Sequence, residues 1–272
     1  MTDQQSPLVS VLFITYKRFD MLERSLRAFR ENTNYPNLEL VIADDGSGPE
    51  IQARISTLHA NVFALSPKNL GLGANNNNGI RHCSGKYILM IQDDWLCQGP
   101  PDYLSNAIAV LEANPGVGLI NFAGAPHPPD LTQRLAGCNE QPCYLTPAPY
   151  TGSHKREFLY SDQPHIHSRT ALEYVGLYKE DRDMEECEID YNFRWENQHR
   201  FSTAVFPAYH LRAFICAEDA VSFRTTRFRY KVAGALQPLK PVILKLSPTI
   251  FQRGRSFMQW MLRKMERAGL VR

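Results

Sequence analysis

Short apolar, β-branched runs alternate along the chain with segments whose apolar residues recur at helical spacing. In the first such segment Leu22, Leu26 and Phe29 share one helix face. Asp20, three residues before Glu23, resembles a capping box at its start. We interpret the apolar runs as buried strands, at Leu8 to Ile14, Leu38 to Ala43, Asn61 to Leu65, Tyr87 to Ile91 and Val117 to Phe122. The alternation predicts a mostly parallel sheet with helices on both faces, where ligands bind at the carboxyl ends of strands.

The second half of the chain is less regular. The segment from Gly124 to Pro149 is dense in Pro and Gly without a clear period, which predicts a long loop. After it we expect strands at Pro164 to Ser168 and near Ala204 to Cys216, and helices near Arg169 to Tyr174 and Glu188 to Asn197. Together these elements predict one α/β domain over residues 1–222.

Charge separates a C-terminal segment from this domain. The net charge is only +2, but twelve of the 30 Lys and Arg residues and one of the 28 acids lie from Arg224 onward. Residues 223–272 therefore form a basic extension, with an amphipathic helix expected over Phe257 to Arg267. Such a segment either faces an anionic membrane surface or nucleic acid, or is a solvated helix face. No nucleic-acid partner is expected, because regularly interleaved aromatic residues and a recognised motif are missing.

The apolar stretches and the cysteines indicate the cellular compartment. No stretch reaches the roughly 18 apolar residues that a spanning helix needs, and MTDQQSPL lacks the charged and apolar regions of a signal peptide. The six cysteines are scattered and lack a zinc-ribbon spacing. A cytoplasmic protein with reduced cysteines is therefore expected.

Two acidic pairs directly follow predicted strands. Asp44 and Asp45 lie in VIADDGSG, and Asp93 and Asp94 lie in YILMIQDDW. Adjacent carboxylates repel each other unless a cation or hydrogen-bond donors neutralise them, and Mg or Mn prefers such oxygen ligands. The pairs predict a metal beside a diphosphate. The alternative is that each pair only caps the following turn or helix.

The segment KNLGLGANNNNG, from Lys68 to Gly79, contains neither a Walker lysine pattern nor the GxGxxG spacing. Its glycines would still let backbone groups approach a ligand closely, and Lys68 offers charge to a phosphate. We interpret it as a turn near the ligand.

Taken in order, VSVLFITYKR, LELVIADDGSG, NLGLGANNNNGI and GKYILMIQDDW resemble the glycosyltransferases of family 2, which have the GT-A fold. The later CEIDYNFRW is similar to the acceptor-side motif that this family writes Glu-Asp-x-Asp-Leu-x-x-Arg. The resemblance covers about Val9 to Trp195. It implies a Rossmann-like, mostly parallel sheet flanked by helices, with a nucleotide-sugar-binding half over 1–122 and an acceptor-binding half over 123–222.

The resemblance also implies roles for residues that bind the donor. Asp45 is expected to meet the base, where an acceptor suits the N3 hydrogen of uracil or thymine and so favours UDP- or dTDP-sugars. Asp94 is the expected direct ligand of a Mn or Mg ion on the diphosphate, and His210 is a candidate further ligand. The expected nucleotide-sugar-binding residues are Thr15, Tyr16, Arg18, Asp44, Asp45, Lys68, Gly71, Asn77 and Asp93.

On the acceptor side the expected catalytic residues are Glu188 and Asp190. Glu188 aligns with the family's usual Asp base, Cys187 replaces the preceding Glu, and Asp190 and Arg194 keep their places. A carboxylate there takes the proton of the acceptor hydroxyl and gives inversion, whereas the alternative for Glu188 is a solvated residue at a helix N-terminus.

His165 and His167 alternate on one strand face and could line the acceptor cleft. The predicted function is inverting transfer of a single sugar to a hydroxyl acceptor, a glycan or lipid-linked glycan. The expected context is surface polysaccharide or glycolipid synthesis at the inner face of the plasma membrane.

Two other functions stay open. A nucleotidyltransferase shares a related fold, but it usually has a glycine-rich first loop and TYKRFDM has no glycine. A non-catalytic nucleotide- or glycan-binding module would keep the acids as structural caps. Turnover distinguishes such a module from an enzyme.

Overall fold

The computed structural model describes residues 6–122, 133–139, 142–146, 159–160, 162–206 and 213–217. The strands are β1 (Val9–Thr15), β2 (Leu38–Asp44), β3 (Val62–Leu65), β4 (Tyr87–Gln92), β5 (Trp95–Cys97), β6 (Val117–Asn121), β7 (Tyr144–Thr146), β8 (His165–Ser168), β9 (Ser202–Val205) and β10 (Phe214–Cys216). The helices are α1 (Phe19–Asn32), α2 (Pro49–Ile55), α3 (Leu72–His82), α4 (Tyr103–Ala113), α5 (Arg169–Val175) and α6 (Met184–Asn197).

One large sheet has the strand order β3-β2-β1-β4-β8-β6-β9-β7. The strands β3, β2, β1 and β4 are parallel, as the alternation of strands and helices predicts. Beyond β4 the sheet is mixed, because β8 pairs antiparallel with both β4 and β6. A strand from the second half of the chain is thus inserted between two strands of the first half.

Helices cover both faces of this sheet, which confirms the predicted α/β architecture. Alternate residues of β1 point to opposite faces. Val11 and Phe13 join a core with residues of α1 and α4, whereas Leu12 belongs to a second core with residues of α3, α5 and α6. Because both faces are buried, the strands appear in the sequence as continuous apolar runs.

Two helix starts differ from the sequence prediction. The capping box at Asp20 is wrong, because α1 already begins at Phe19 and has no side-chain cap hydrogen bond. Asp20 lies in the first turn of α1, where its negative charge interacts favourably with the helix dipole. Its Oδ1 also lies 2.8 Å from Arg54 Nη2. Helix α6 begins at Met184, since the side chain of Asp183 accepts the N–H of Glu186 at 2.9 Å and caps it.

The basic extension 223–272 lies outside the described residues. Within the described part of the chain, every helix is too short or too polar to cross a membrane. The six cysteines all lie among the described residues, and none forms a disulfide there.

Candidate functional site

The carboxyl ends of β1, β2 and β4 meet at one edge of the sheet. The parallel register places Thr15 beside Asp44. The backbone N–H of Asp45 donates to the carbonyl of Thr15, and that of Asp93 donates to Ile14, both at 3.1 Å. Both predicted acidic pairs and the start of the TYKR segment therefore lie at the same edge.

Asp93 is the buried centre of this edge. The hydroxyl of Thr15 donates to Asp93 Oδ2 at 2.7 Å, and Arg18 Nη2 lies 2.6 Å from Asp93 Oδ1. Burial raises the pKa of Asp93 to about 6, although Arg18 and Thr15 both favour the ionised form. Arg18 Nη1 also lies 3.7 Å from Asp94, so one guanidinium is shared by two carboxylates.

The two acids differ in their access to a metal ion. The side chain of Asp94 is 17% exposed, whereas that of Asp93 is fully buried. Within the described ranges, no group of three or more His, Cys, Asp or Glu residues is arranged to hold a metal, and His210 lies outside them. Asp94 is thus the accessible carboxylate that would hold a cation, and oxygens of a bound diphosphate and water would have to supply its other ligands.

Asp44 and Asp45 both accept hydrogen bonds from the protein itself. Buried Asp44 accepts the Ser47 hydroxyl, and the Ser47 N–H at 2.9 Å. Asp45 accepts the N–H groups of Leu70 at 2.7 Å and Gly71 at 3.0 Å, and burial raises its pKa. Asp44 therefore caps the following turn, as the alternative states, whereas Asp45 binds the segment before α3. Contact of either carboxylate with a nucleotide stays a prediction.

The turn after Asp45 is packed against the segment that precedes α3. Gly46 has a φ of +73°, and a Cβ there would lie 2.2 Å from the carbonyl carbon of Lys68, so only glycine fits. The side chain of Lys68 is exposed, and Gly71 is the N-cap of α3. Tyr16 is partly exposed directly after β1, with Lys17 Nζ 5.1 Å from its ring centroid.

The asparagine-rich segment forms most of helix α3, so the interpretation as a turn is wrong. Asparagine is a poor helix former, but these amides bind backbone groups of other elements. Asn75 donates to the carbonyls of Thr15 and Ala43 at 3.2 Å, which ties α3 to the ends of β1 and β2. Asn77 donates to the carbonyl of Tyr178 and accepts its N–H, both at 2.8 Å. Asn77 thus joins α3 to the segment before α6.

On the acceptor side, Glu188 and Asp190 lie on α6. Glu188 is partly exposed, and its Oε1 accepts the backbone N–H of Asp162 at 3.0 Å. Asp190 lies 2.5 Å from Lys179 Nζ and 2.9 Å from Arg194 Nε. Asp190 is therefore held between two cations, and a catalytic role for it stays a prediction.

A small pocket links the donor edge to the acceptor side. It is lined by Ile14, Asn76, Met90, Ile91, Gln92, Asp162 and His165. Gln92 directly precedes Asp93, and Asp162 contacts Glu188, so the pocket lies between the two sets of acids. Asp162 was not predicted from the sequence, because it belongs to no motif. Asn76 lies in the asparagine-rich segment, but nothing in that run distinguishes it from its neighbours.

His165 and His167 project from the same face of β8 into a buried aromatic cluster. Burial lowers the pKa of His165 to about 4 and that of His167 well below its usual value. The rings lie edge to face with centroids 4.7 Å apart, and His167 also packs against Trp195. His165 lines the pocket, whereas His167 is core.

Similarity to known proteins agrees with this geometry. Residues 10–139 match the family model described as glycosyl transferase family 2. The chain is 26% identical over 117 residues to a GalNAc(5)-diNAcBac-PP-undecaprenol beta-1,3-glucosyltransferase of Campylobacter jejuni, covering 40% of this chain and 36% of that relative. It is 33% identical over 110 residues to beta-1,4 N-acetylgalactosaminyltransferase 1 of Rattus norvegicus, covering 40% of this chain and 19% of that relative. The chain thus spans little more than a third of the length of the first relative and less than a fifth of the second.

Solved structures match over more of the chain. The mannosyltransferase PcManGT from Pyrobaculum calidifontis, in complex with GDP-Man and Mn2+, has a TM-score of 0.56 at 20% identity, covering 82% of this chain and 59% of that one. S. aureus TarS in complex with UDP-GlcNAc has a TM-score of 0.55 at 14% identity, covering 74% of this chain and 58% of that one. These similarities confirm the predicted GT-A fold.

Proposed function

We propose that this chain, a family-2 glycosyltransferase, transfers one sugar from a UDP-sugar or dTDP-sugar to a hydroxyl group with inversion. The arrangement of Thr15, Asp93 and Arg18 beside Asp94 is the observation that supports this most directly. A partly exposed guanidinium and a partly exposed carboxylate thus lie together at the carboxyl ends of the parallel strands, where open α/β sheets bind ligands.

On the donor side, Asp93 holds Arg18 in place, and the guanidinium offers several donors to diphosphate oxygens. Asp94 would hold a Mn or Mg ion. Such an ion, when bound, neutralises negative charge on the diphosphate as it leaves. Tyr16, Asp45, Lys68 and Gly71 complete the proposed nucleotide pocket, and Asp44 and Asn77 support it.

The preference for uracil or thymine rests on Asp45. A carboxylate has about four acceptor positions. Asn69, Leu70 and Gly71 donate to three of them, which leaves capacity for the N3 hydrogen of the base. The solved relatives include one complex with GDP-Man and one with UDP-GlcNAc, so the fold itself does not select the nucleotide.

On the acceptor side, Glu188 is the proposed base. Its carboxylate removes the proton of the acceptor hydroxyl while that oxygen forms a bond to the anomeric carbon. The bond from the anomeric carbon to the diphosphate oxygen breaks, and its electron pair leaves with the nucleoside diphosphate. Attack opposite the leaving group inverts the anomeric centre.

The proposed acceptor is a glycan or a lipid-linked glycan of surface polysaccharide or glycolipid synthesis. The Campylobacter relative is named for an undecaprenol-linked acceptor, which supports this class. The excess of basic residues from Arg224 onward supports peripheral contact with the anionic inner face of the plasma membrane, in the cytoplasm. Loss of vesicle binding after truncation at Val221 is the test of that contact.

Calorimetry with UDP, dTDP, GDP and CMP, each with and without Mn, tests the donor site. The wild type should bind UDP or dTDP in a Mn-dependent way, and Asp94→Ala should lose this binding. Glu31→Ala removes the same charge from an exposed position late in α1 and should bind like the wild type. If no nucleotide binds, the proposed function is wrong. If nucleotide binds but UDP-sugars never release free UDP with any acceptor, the chain is a non-catalytic module.

A further inference from the structure

A second carboxyl group lies beside the proposed base. Asp162 belongs to the segment that enters β8, 26 residues before Glu188, and its backbone N–H donates to Glu188 Oε1 at 3.0 Å. Both residues are partly exposed. The contact therefore connects the segment before β8 to the second turn of α6, and it fixes one oxygen of the Glu188 carboxylate.

The Asp162 carboxyl is the end point of a chain of hydroxyl groups. Tyr160 donates its hydroxyl hydrogen to Asp162 Oδ1, and the hydroxyl oxygens of Tyr160 and Tyr178 are 2.7 Å apart. A hydroxyl has a single hydrogen, so Tyr178 is the donor to Tyr160 when Tyr160 donates to Asp162. Both dipoles then point toward Asp162, which orients its carboxyl group.

The surroundings of Asp162 also include an unsatisfied buried group. His165 lines the same pocket and is 1% exposed. Its Nδ1 lies 2.6 Å from the carbonyl of Gln163, whereas its Nε2 has no hydrogen-bond partner among the described residues. A buried water or a polar group of a substrate can supply the partner of this nitrogen.

We propose that Asp162 is a positioning residue for Glu188, which fixes the Glu188 carboxylate through its backbone N–H and shares a proton with it. This inference rests on the proposed function, because Glu188 is the base only if the chain transfers a sugar. Two neighbouring carboxyl groups avoid the cost of double ionisation by keeping one proton between them.

Electrostatics indicate which group keeps the proton. Desolvation, followed by the charge of Glu188, raises the pKa of Asp162 well above its usual value, and the Tyr160 hydroxyl opposes this. Among the residues that the structure describes, six titratable groups face Asp162 from its own segment, from β8, from the segment before α6 and from α6. They are Tyr160, His165, Tyr178, Cys187, Glu188 and Tyr191. Glu188 is the acid among them. Desolvation and the charge of Glu188 both favour Asp162 as the member of the pair that keeps the proton.

Carbon-13 NMR of the full chain with labelled Asp and Glu carboxyl groups tests the pair directly. The Glu188 resonance of the wild type should show a second inflection at the midpoint of Asp162, and Asp162→Asn should abolish it. Glu188→Gln should lower the Asp162 midpoint by about one pH unit, because a like charge is removed. Asp102→Asn, at an exposed position before α4, should leave both titrations unchanged.

Tyr160→Phe keeps both carboxyl groups and removes the hydroxyl donor, so it should raise the Asp162 midpoint. It also serves as the second variant if Asp162→Asn does not fold. Independent titration of Glu188 and Asp162 in all of these proteins would overturn the inference.

The rate of UDP release against pH separates this inference from the proposed function. The wild type should show the Asp162 inflection, and Asp162→Asn should lose it while binding UDP as the wild type does. If Asp162→Asn releases UDP with the same pH profile as the wild type, the positioning role is refuted and the proposed function stands. Coupled titration without UDP release supports the pair and refutes the function.

Discussion

The buried His165 predicts how the stability of this protein responds to acid. In the folded protein burial lowers its pKa from 6.5 to about 4. Between these values the unfolded chain binds a proton and the folded chain does not. The contribution of His165 to the free energy of unfolding is therefore fully present above pH 6.5. It is lost as the pH falls toward 4, by about 1.4 kcal/mol per pH unit and about 3 kcal/mol in all.

The perturbation is His165→Asn. Asparagine does not titrate in this range, and its Nδ2 can take the place of the Nδ1–H group that faces the carbonyl of Gln163. The free energy of unfolding is measured by urea denaturation of both proteins at intervals from pH 4 to 7.5. The substitution itself changes the stability at neutral pH, so the comparison uses only the pH dependence. Carboxylates contribute equally to both curves. The difference between the two curves therefore gives the contribution of His165 to the free energy of unfolding.

The wild type should lose about 3 kcal/mol more than His165→Asn between pH 6.5 and 4. His199 is exposed, so His199→Asn provides a matched control whose curve should run parallel to that of the wild type. Parallel curves for the wild type and His165→Asn would refute the reasoning, because the folded protein would then bind a proton at His165 as readily as the unfolded chain.

Three further predictions concern packing and the donor site. Gly79→Ala should cost about 1–3 kcal/mol in urea denaturation, since its Cβ would lie 2.4 Å from a buried leucine methyl of β1. Thr203→Val removes the acceptor of the buried Trp195 Nε1–H at 2.6 Å and should cost about 1–3 kcal/mol, whereas Thr203→Ser should stay near the wild type in the same assay. Arg18→Gln should weaken UDP binding about tenfold or more in calorimetry, while Arg54→Gln, in an exposed ion pair, should not.

The first half of the fold could be predicted from the sequence because its strands are buried on both faces. The prediction for β2 ends one residue before the observed end, at Asp44, and that for β4 one residue before Gln92. The acids at these strand ends could also be placed, since parallel strands bring their carboxyl ends to one edge. The apolar runs and the positions of the acids after them were sufficient to predict this part of the fold.

Helix α3 shows where local reasoning fails. Four consecutive asparagines have low intrinsic helix propensity, so no local pattern in the sequence predicts this helix. The helix forms because Asn75 and Asn77 bind backbone groups of β1, β2 and the segment at Tyr178, contacts that no window of the sequence contains.

Asp162 could not be predicted from the sequence for a similar reason. Asp162 lies outside any helical or strand period, and its contact with Glu188 exists only after β8 and α6 are in place. Glu188 itself could be proposed from the resemblance to the family motif. Its neighbour could not, because the pairing is a property of the assembled sheet.

The insertion of β8 between β4 and β6 has a consequence for biosynthesis. While the chain leaves the ribosome, β4 and β6 are complete long before residues 165–168 are made, and each presents an open backbone edge until then. Such edges favour association with other nascent chains. A fragment that ends at residue 139, where the family match ends, would keep both edges permanently. Exchange of acceptor halves between relatives should therefore transfer β8 together with its partners, because this strand belongs to the architecture of both halves.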